Sequence, residues 1–342
     1  MDGVSPPRPE QKRVYCVTGA TGYLASWLVR SLLERGHRVR GTIRNRAKAA
    51  HLTCLPGAEE RLELVEADLL DEASLFPAVQ GCDGVFAVAI PIPDPSKDQG
   101  AMIELAMTCT MNLLRACHDS GCVKRVVLTS TFYASIQVPH DGNAPLDVDE
   151  TFWTSVDYCL EKKMSCWGYM LAKTMSEKAA FQFAKEKGLD LVSILPSLVV
   201  GPFTTPSLPE SLSVYLSAMK ADVPEWLVPI VEYMSYVHVD DCIRAHILLM
   251  EDVRAKGRYL CSACDATFWE VHREAIPLLQ TLELPPPKLD VSTIDVATKA
   301  FYKLNTTKLR ELGFTYQFDT FQKICADMVP CLLEKGYLKQ GK

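Results

Sequence analysis

The sequence predicts an α/β protein, a doubly wound parallel sheet followed by a smaller C-terminal lobe. Through the first two hundred residues, short apolar runs alternate with stretches of helical spacing, the pattern of a parallel sheet covered on both faces. Where the first run ends lies a glycine-bearing turn, TGATGYLA at 18–25. A length of 342 residues exceeds the usual size of one core, so a large domain with an appended lobe is expected.

The elements follow in order. RVYCVT at 13–18 reads as a buried strand, and 23–35 has helical spacing. Further strands are predicted at 37–43 (HRVRGTI), 62–68 (LELVEAD), 84–90 (GVFAVAI), 124–130 (KRVVLTS) and 189–195 (LDLVSIL), with helices at 72–79, 99–119 and 168–187. After Pro196 the alternation loosens. A helix at 208–220, a strand at 236–239 (YVHV) and a helix at 240–251 come first. RYLCS at 258–262, a helix at 268–280, the break LPPPK at 284–288 and a last helix at 319–336 complete the chain. We expect 1–12 to be a flexible arm, 13–200 the nucleotide-binding domain and 201–342 mainly a substrate lobe, with 236–251 returning to the first domain.

Composition narrows the function classes. A formal charge of −6 opposes a nucleic-acid partner, because phosphate binding needs a basic field. The opening segment is polar and Pro-rich, without the apolar core of a secretory signal. The apolar stretch 191–200 is broken by Pro196 and too short to span a bilayer, so no membrane insertion is expected. Thirteen cysteines read as reduced thiols, and the seven histidines form no HxxxH pair. A cytoplasmic protein without a structural metal is expected.

Within TGATGYLA, Gly19 lets the chain turn, Gly22 lets backbone approach a pyrophosphate, and Ala25 is the small residue where helix meets strand. Thr21, Tyr23 and Leu24 belong to the same turn, and the helix start offers free N–H groups to phosphate. After the second strand, NAD enzymes place an acid on the ribose 2′-hydroxyl, whereas a cation accommodates a 2′-phosphate. Here TIRNRAK supplies Arg44, Arg46 and Lys48 and no acid, which favours NADP(H) over NAD. Asp68, after the third strand, fits the adenine edge.

WGYMLAK places Tyr169 and Lys173 four apart on one helix face. A phenol there can give its proton to a carbonyl, and the ammonium would draw its pKa toward neutrality. The fifth strand ends in Thr129-Ser130-Thr131. A hydroxyl from Ser130 or Thr131 can bond the substrate oxygen, with Thr129 beside the cofactor.

With these motifs together, the chain resembles the plant dihydroflavonol 4-reductase family of extended short-chain dehydrogenases/reductases, which includes anthocyanidin, vestitone and cinnamoyl-CoA reductases. TGATGYLASWL, VRGTIRN, EADLLDEAS, GVFAVAIP, VKRVVLTST, KKMSCWGYMLAK, ILPSLVVGPF and YVHVDDCIRAHILL carry the likeness, from about 14 to 338. The resemblance implies a Rossmann fold, NADPH, a small aromatic ketone as substrate and a Ser-Tyr-Lys triad falling on Thr131, Tyr169 and Lys173. It also implies that Arg44 and Lys48 meet the 2′-phosphate and that Asp68 and Leu69 edge the adenine. Val88, Ala89, Ile90, Pro196, Ser197, Leu198, Val199 and Ser211 would wall the cofactor. A monomer or weak dimer is expected.

Departures from the family pattern bear on the substrate. Thr131 stands where the family has serine, keeping the hydroxyl but adding a methyl that fixes χ1. VFAVAIP replaces VFHVATP, losing a His at Ala87 and a Thr at Ile90. Ile136 and Ser235 occupy the places of an Asn and a Gln that grip flavonoid hydroxyls in the family. Losing such handles weakens discrimination for a hydroxylated ring, so an altered substrate preference is expected. The stretch SCWGYMLAK also departs from the NWYCYGK of cinnamoyl-CoA reductases. The rival expectations are an NADP(H)-binding homologue with little catalysis, acting as sensor or scaffold, and a nucleotide-sugar epimerase or dehydratase. Cys159 and Cys166 flank the catalytic helix and are read as two unpaired thiols.

Overall fold

The computed structural model describes residues 12–89, 99–140, 144–164, 166–219, 233–281 and 302–338. Residues 1–11 of the expected arm, Ile90 and the LPPPK break at 284–288 lie outside the described residues. The central sheet uses β1 (Val14–Val17), β2 (Arg38–Ile43), β3 (Leu62–Glu66), β4 (Gly84–Ala87), β5 (Arg125–Thr129), β7 (Leu191–Pro196) and β10 (Gly257–Cys261), in the order β10-β7-β5-β4-β1-β2-β3. Every pairing in it is parallel. Strand order reverses between β1 and β4, so a crevice opens at their carboxyl ends, where open α/β sheets take ligands.

Side chains of each strand alternate between two cores. Tyr15, Val17, Phe86, Val127, Val192 and Ile194 face the helices Tyr23–Glu34 and Val239–Glu251. Cys16, Val85, Ala87, Val126, Leu128 and Leu191 face Glu72–Val79, Gln99–Asp119 and Trp167–Lys187. Burial on both faces is why these strands read as unbroken apolar runs rather than as alternation. Arg125 anchors the start of β5: Nε donates to Asp190 at 2.9 Å, and Nη1 to the carbonyls of Leu249 and Asp252 at 2.9 and 2.6 Å.

Two small sheets complete the chain. β8 (Leu198–Val200) pairs parallel with β9 (Tyr233–His238), which pairs antiparallel with β11 (Cys264–Thr267). β6 (Leu146–Val148) pairs parallel with β12 (Tyr302–Leu304). An aromatic-rich core beneath them gathers Phe132, Tyr215, Tyr236, Phe321, Ile324 and Met328.

Some boundaries differ from expectation. β4 stops at Ala87 because the Thr18 hydroxyl takes the N–H groups of Val88 and Ala89, at 3.0 and 3.1 Å, away from the ladder. β9 begins at Tyr233 rather than 236 and ends at His238, whose Nδ1 accepts from Asp240 N and caps the next helix. β6, β8 and β12, three residues each, carry no periodic signal. Cys261 and Cys264, at CxxC spacing, stand at the end of β10 and the start of β11, and both are free.

Leu28 is fully buried between the first helix and the sheet. Leu28→Ala should cost about 2–5 kcal/mol, read as a lower urea midpoint with an unchanged slope; an unchanged midpoint would mean that this face is not packed as described.

Candidate active site

The glycine turn is built for close approach. Gly19 has φ +62, a conformation side chains resist, and a Cβ there would stand 2.5 Å from that of Ala89. Its N–H donates to Thr42 Oγ1 at 2.9 Å, and Gly22 N–H to Gly19 O at 2.9 Å. Gly22 caps the Tyr23–Glu34 helix without a side-chain bond, so the helix start keeps N–H groups for an anion. A cavity of about 490 Å³ opens over this turn. Gly19, Thr21, Gly22, Arg44, Lys48, Asp68, Leu69 and Ala89 all line it.

The three cations after β2 separate in role. Arg46 is spent on Glu66 at 3.3 Å and on Leu64 O at 3.2 Å. Arg44 and Lys48 line the cavity, exposed and without an acidic partner among the described residues. Two uncommitted cations beside a glycine turn fit a dinucleotide carrying a 2′-phosphate. Asp68 shapes the opposite edge: its Oδ1 accepts from Leu70 N at 3.0 Å, while Asn112 donates to Leu69 O at 3.0 Å. Tyr23 bonds Gly201 O at 3.2 Å, and Leu24 packs half-buried against the main core.

At the end of β5 the three hydroxyls are sorted. Thr129 donates to His246 Nε2 at 2.9 Å, since His246 Nδ1 faces the Cys242 carbonyl at 2.7 Å and must carry the ring proton. Burial lowers the His246 pKa to about 4, so that ring stays neutral. Ser130 donates to Glu177 Oε2 at 2.8 Å and is thereby turned away from the crevice. Thr131, whose Oγ1 accepts from Tyr133 N at 3.4 Å, is left as the hydroxyl that acts on the Tyr169 phenol.

Tyr169 and Lys173 share one face of Trp167–Lys187. Gly168 lets this helix start against Gln99, where a Cβ would meet Gln99 Cβ at 2.5 Å, and its N–H donates to Gln99 Oε1 at 2.6 Å. Lys173 is buried, and its Nζ donates to Thr129 O at 2.6 Å. The Tyr169 pKa is raised, not lowered as expected: burial outweighs the Thr131 hydroxyl that opposes it. The phenol therefore holds its proton. Burial in turn lowers Lys173 to about 8, against the opposing pull of Glu177.

Other expected wall residues are placed as follows. Pro196 ends β7; Ser197 is buried, donating from N and Oγ to Cys261 O at 3.0 and 3.4 Å; Leu198 and Val199 open β8. Ser211 lies partly buried in the first turn of Glu210–Met219, and the neighbouring Glu210 acts on Tyr169. Ile136 is buried in the lobe core among aromatic neighbours. Ser235 is fully enclosed and donates to Asp265 Oδ1 at 2.5 Å. Cys159 and Cys166 are both free. Glu177, Arg258 and His246 were missed from sequence. Glu177 alone had a signal, standing four residues beyond Lys173 on the same stripe.

The profile of the NAD dependent epimerase/dehydratase family matches residues 15–261. Dihydroflavonol 4-reductase from Arabidopsis thaliana is 38% identical over 332 residues, 96% of this chain and 84% of that one. Tetraketide alpha-pyrone reductase 1 from the same plant is 38% identical over 334 residues, 96% and 98% of the two chains. The crystal structure of vestitone reductase from alfalfa superposes with a TM-score of 0.83 at 34% identity, covering 96% of this chain and all 100% of that one. The chain thus belongs to the NAD dependent epimerase/dehydratase family and, within it, to the dihydroflavonol 4-reductase-like extended short-chain dehydrogenases/reductases. It is an oxidoreductase acting on carbonyl and hydroxyl groups, and with Arg44 and Lys48 in the cleft its cofactor is NADP(H).

Lys173 carries a testable linkage. Its folded pKa, about 8, lies below the unfolded 10.5. Below pH 8 both states hold the proton and the fold bears the whole desolvation cost, about 3 kcal/mol; between 8 and 10.5 the cost disappears as the folded state releases it. Lys173→Met should therefore melt no lower than the parent at pH 7, with its advantage shrinking by pH 10, measured calorimetrically. A lower melting temperature at pH 7 would oppose this.

Proposed function

We propose that this chain reduces a ketone on a flavonoid- or phenylpropanoid-like small aromatic molecule, with NADPH as the reductant. The single observation that carries the reading is the gathering of Thr131, a protonated Tyr169 and a buried Lys173 at the end of β5, in the same sheet whose β1 and β2 ends carry the Arg44/Lys48 cleft. The dihydroflavonol and vestitone reductases it is similar to support the choice of substrate class. NADPH, when bound, supplies the hydride. Gly19, Gly22, Arg44 and Lys48 would hold its phosphates, with Asp68 and Leu69 at the adenine edge and Val88, Ala89, Pro196, Ser197, Leu198, Val199 and Ser211 as walls.

Tyr169 then gives its proton to the carbonyl oxygen, and Thr131 bonds the same oxygen as negative charge develops on it. Lys173 stabilises the phenolate that remains, which is why a charged amine must be kept in a buried place. Tyr133 is the half-buried aromatic residue next to this centre, with Phe132 and Ile136 buried behind it. Tyr133 meets Tyr169 edge-on at 6.4 Å. With Ile136 apolar and the Ser235 hydroxyl engaged by Asp265, this surface has little to grip ring hydroxyls. We read 13–200 as the nucleotide-binding domain and 201–342 as mainly the substrate lobe, working in the cytoplasm as a monomer or weak dimer.

The test is NADPH consumption with a dihydroflavonol, a flavanone and a simple aromatic ketone. We expect turnover of at least one, with a monohydroxylated ring accepted as well as a dihydroxylated one. NADPH binding without turnover of any ketone would favour the sensor or scaffold reading. Tyr169→Phe should lose at least about 100-fold in kcat. Thr131→Ala should lose about 100-fold while Thr131→Ser stays within about tenfold of the parent; full activity in Tyr169→Phe would remove the proton donor.

A further inference from the structure

Glu177 lies on the catalytic helix, one turn beyond Lys173, and is fully buried. Four donors converge on its carboxylate, the number of its lone-pair sites. Ser130 donates to Oε2 at 2.8 Å and Ser193 to Oε1, while Arg258 gives Nε to Oε1 at 3.0 Å and Nη2 to Oε2 at 3.3 Å. Arg258, itself buried, spends its other hydrogens on the segments that follow Thr131. It donates to the carbonyls of Ala134, Glu150 and Phe152 and to Ser135 Oγ, with its guanidinium 3.6 Å over the Trp153 ring.

A buried ion pair of this kind adds little to stability compared with an apolar pair of the same volume. Its place is more telling than its energy. One end grips the strand tip that carries the reactive hydroxyl, and the other grips the loops beside it. We propose that Glu177 is a positioning residue: clamped by Arg258, it holds Ser130 out of the crevice so that Thr131 faces Tyr169, and it serves as the counter-charge of Lys173.

The inference rests on the reading above in one respect, that Lys173 supports Tyr169 in reduction. Among the described residues, Glu177 is the acid that acts on Lys173, whose Nζ meets the Thr129 carbonyl while Thr129 bonds neutral His246. Glu210 and Cys166 act on Tyr169, and Arg258 stands behind Glu177. Lys173 and Glu177 stand one helical turn apart and hold the neighbouring residues Thr129 and Ser130; burial drives the Lys173 pKa down, and among the described residues Glu177 is the charge that opposes it.

The test uses Glu177→Gln and, because that change strands a buried guanidinium, the double variant Glu177→Gln/Arg258→Met. The first readout needs no substrate: protein with ¹³C-labelled lysine is titrated by NMR, the Lys173 Cε signal being assigned by its loss in Lys173→Arg. We expect its midpoint to fall by about one unit or more in either variant that folds. The second is the pH profile of kcat with whichever ketone of the panel above turns over, whose alkaline limb should move down by the same amount while the KM for NADPH stays put. A folded double variant whose Lys173 titrates as in the parent overturns the inference. A shifted titration in a protein that reduces no ketone upholds the counter-charge and overturns the reductase reading instead.

Discussion

A buried ammonium has few places to go. Lys173 sits inside the protein with its Nζ on the Thr129 carbonyl at 2.6 Å, and this bond, with Ser130 on Glu177, ties the Trp167–Lys187 helix to the tip of β5. An uncompensated charge in that position would be expelled or neutralised. Much around the crevice serves to prevent either outcome. Thr129 is held by a histidine locked in one tautomer, Ser130 by Glu177, and Glu177 by Arg258. The cost of keeping that charge buried is the reason to regard it as functional, since an apolar residue would pack there without penalty.

The same arrangement separates two jobs that the YxxxK spacing alone would merge. Tyr169 keeps its proton because burial opposes the phenolate, and Lys173 stays near its own titration point because burial opposes the ammonium. A neutral donor beside a cation whose charge is only just maintained is poised for a step in which negative charge appears on the phenol oxygen. The proposed nucleotide cleft lies elsewhere, at the carboxyl ends of β1 and β2, where Gly19, Arg44 and Lys48 line one cavity.

How much of this was legible in the sequence follows from the range of the forces involved. Strands buried on both faces announce themselves as apolar runs, and the glycine turn and the Tyr169/Lys173 pair are local, so all three could be read directly. β4 was read too long because a side chain at Thr18, seventy residues away from Val88, diverts its backbone. β6, β8 and β12 are held by pairing and have too few residues to show a period. Arg258 pairs with Glu177 across 81 positions, and nothing next to it in sequence marks it out. That Ser130 is committed to Glu177 while Thr131 acts on Tyr169 was equally out of reach, because the two differ only in which way a strand end presents them.

Steady-state reduction of an accepted ketone as a function of pH, run in parallel with NADPH and its 4-deuterated form, tests the central claim most directly. A protonated Tyr169 supported by Lys173 requires kcat to hold through neutrality and to decline above pH of about 8, where Lys173 loses its proton, with slower turnover from the deuterated cofactor. A rate that stays level to pH 10, or one indifferent to the pair of Tyr169 and Lys173, would contradict it.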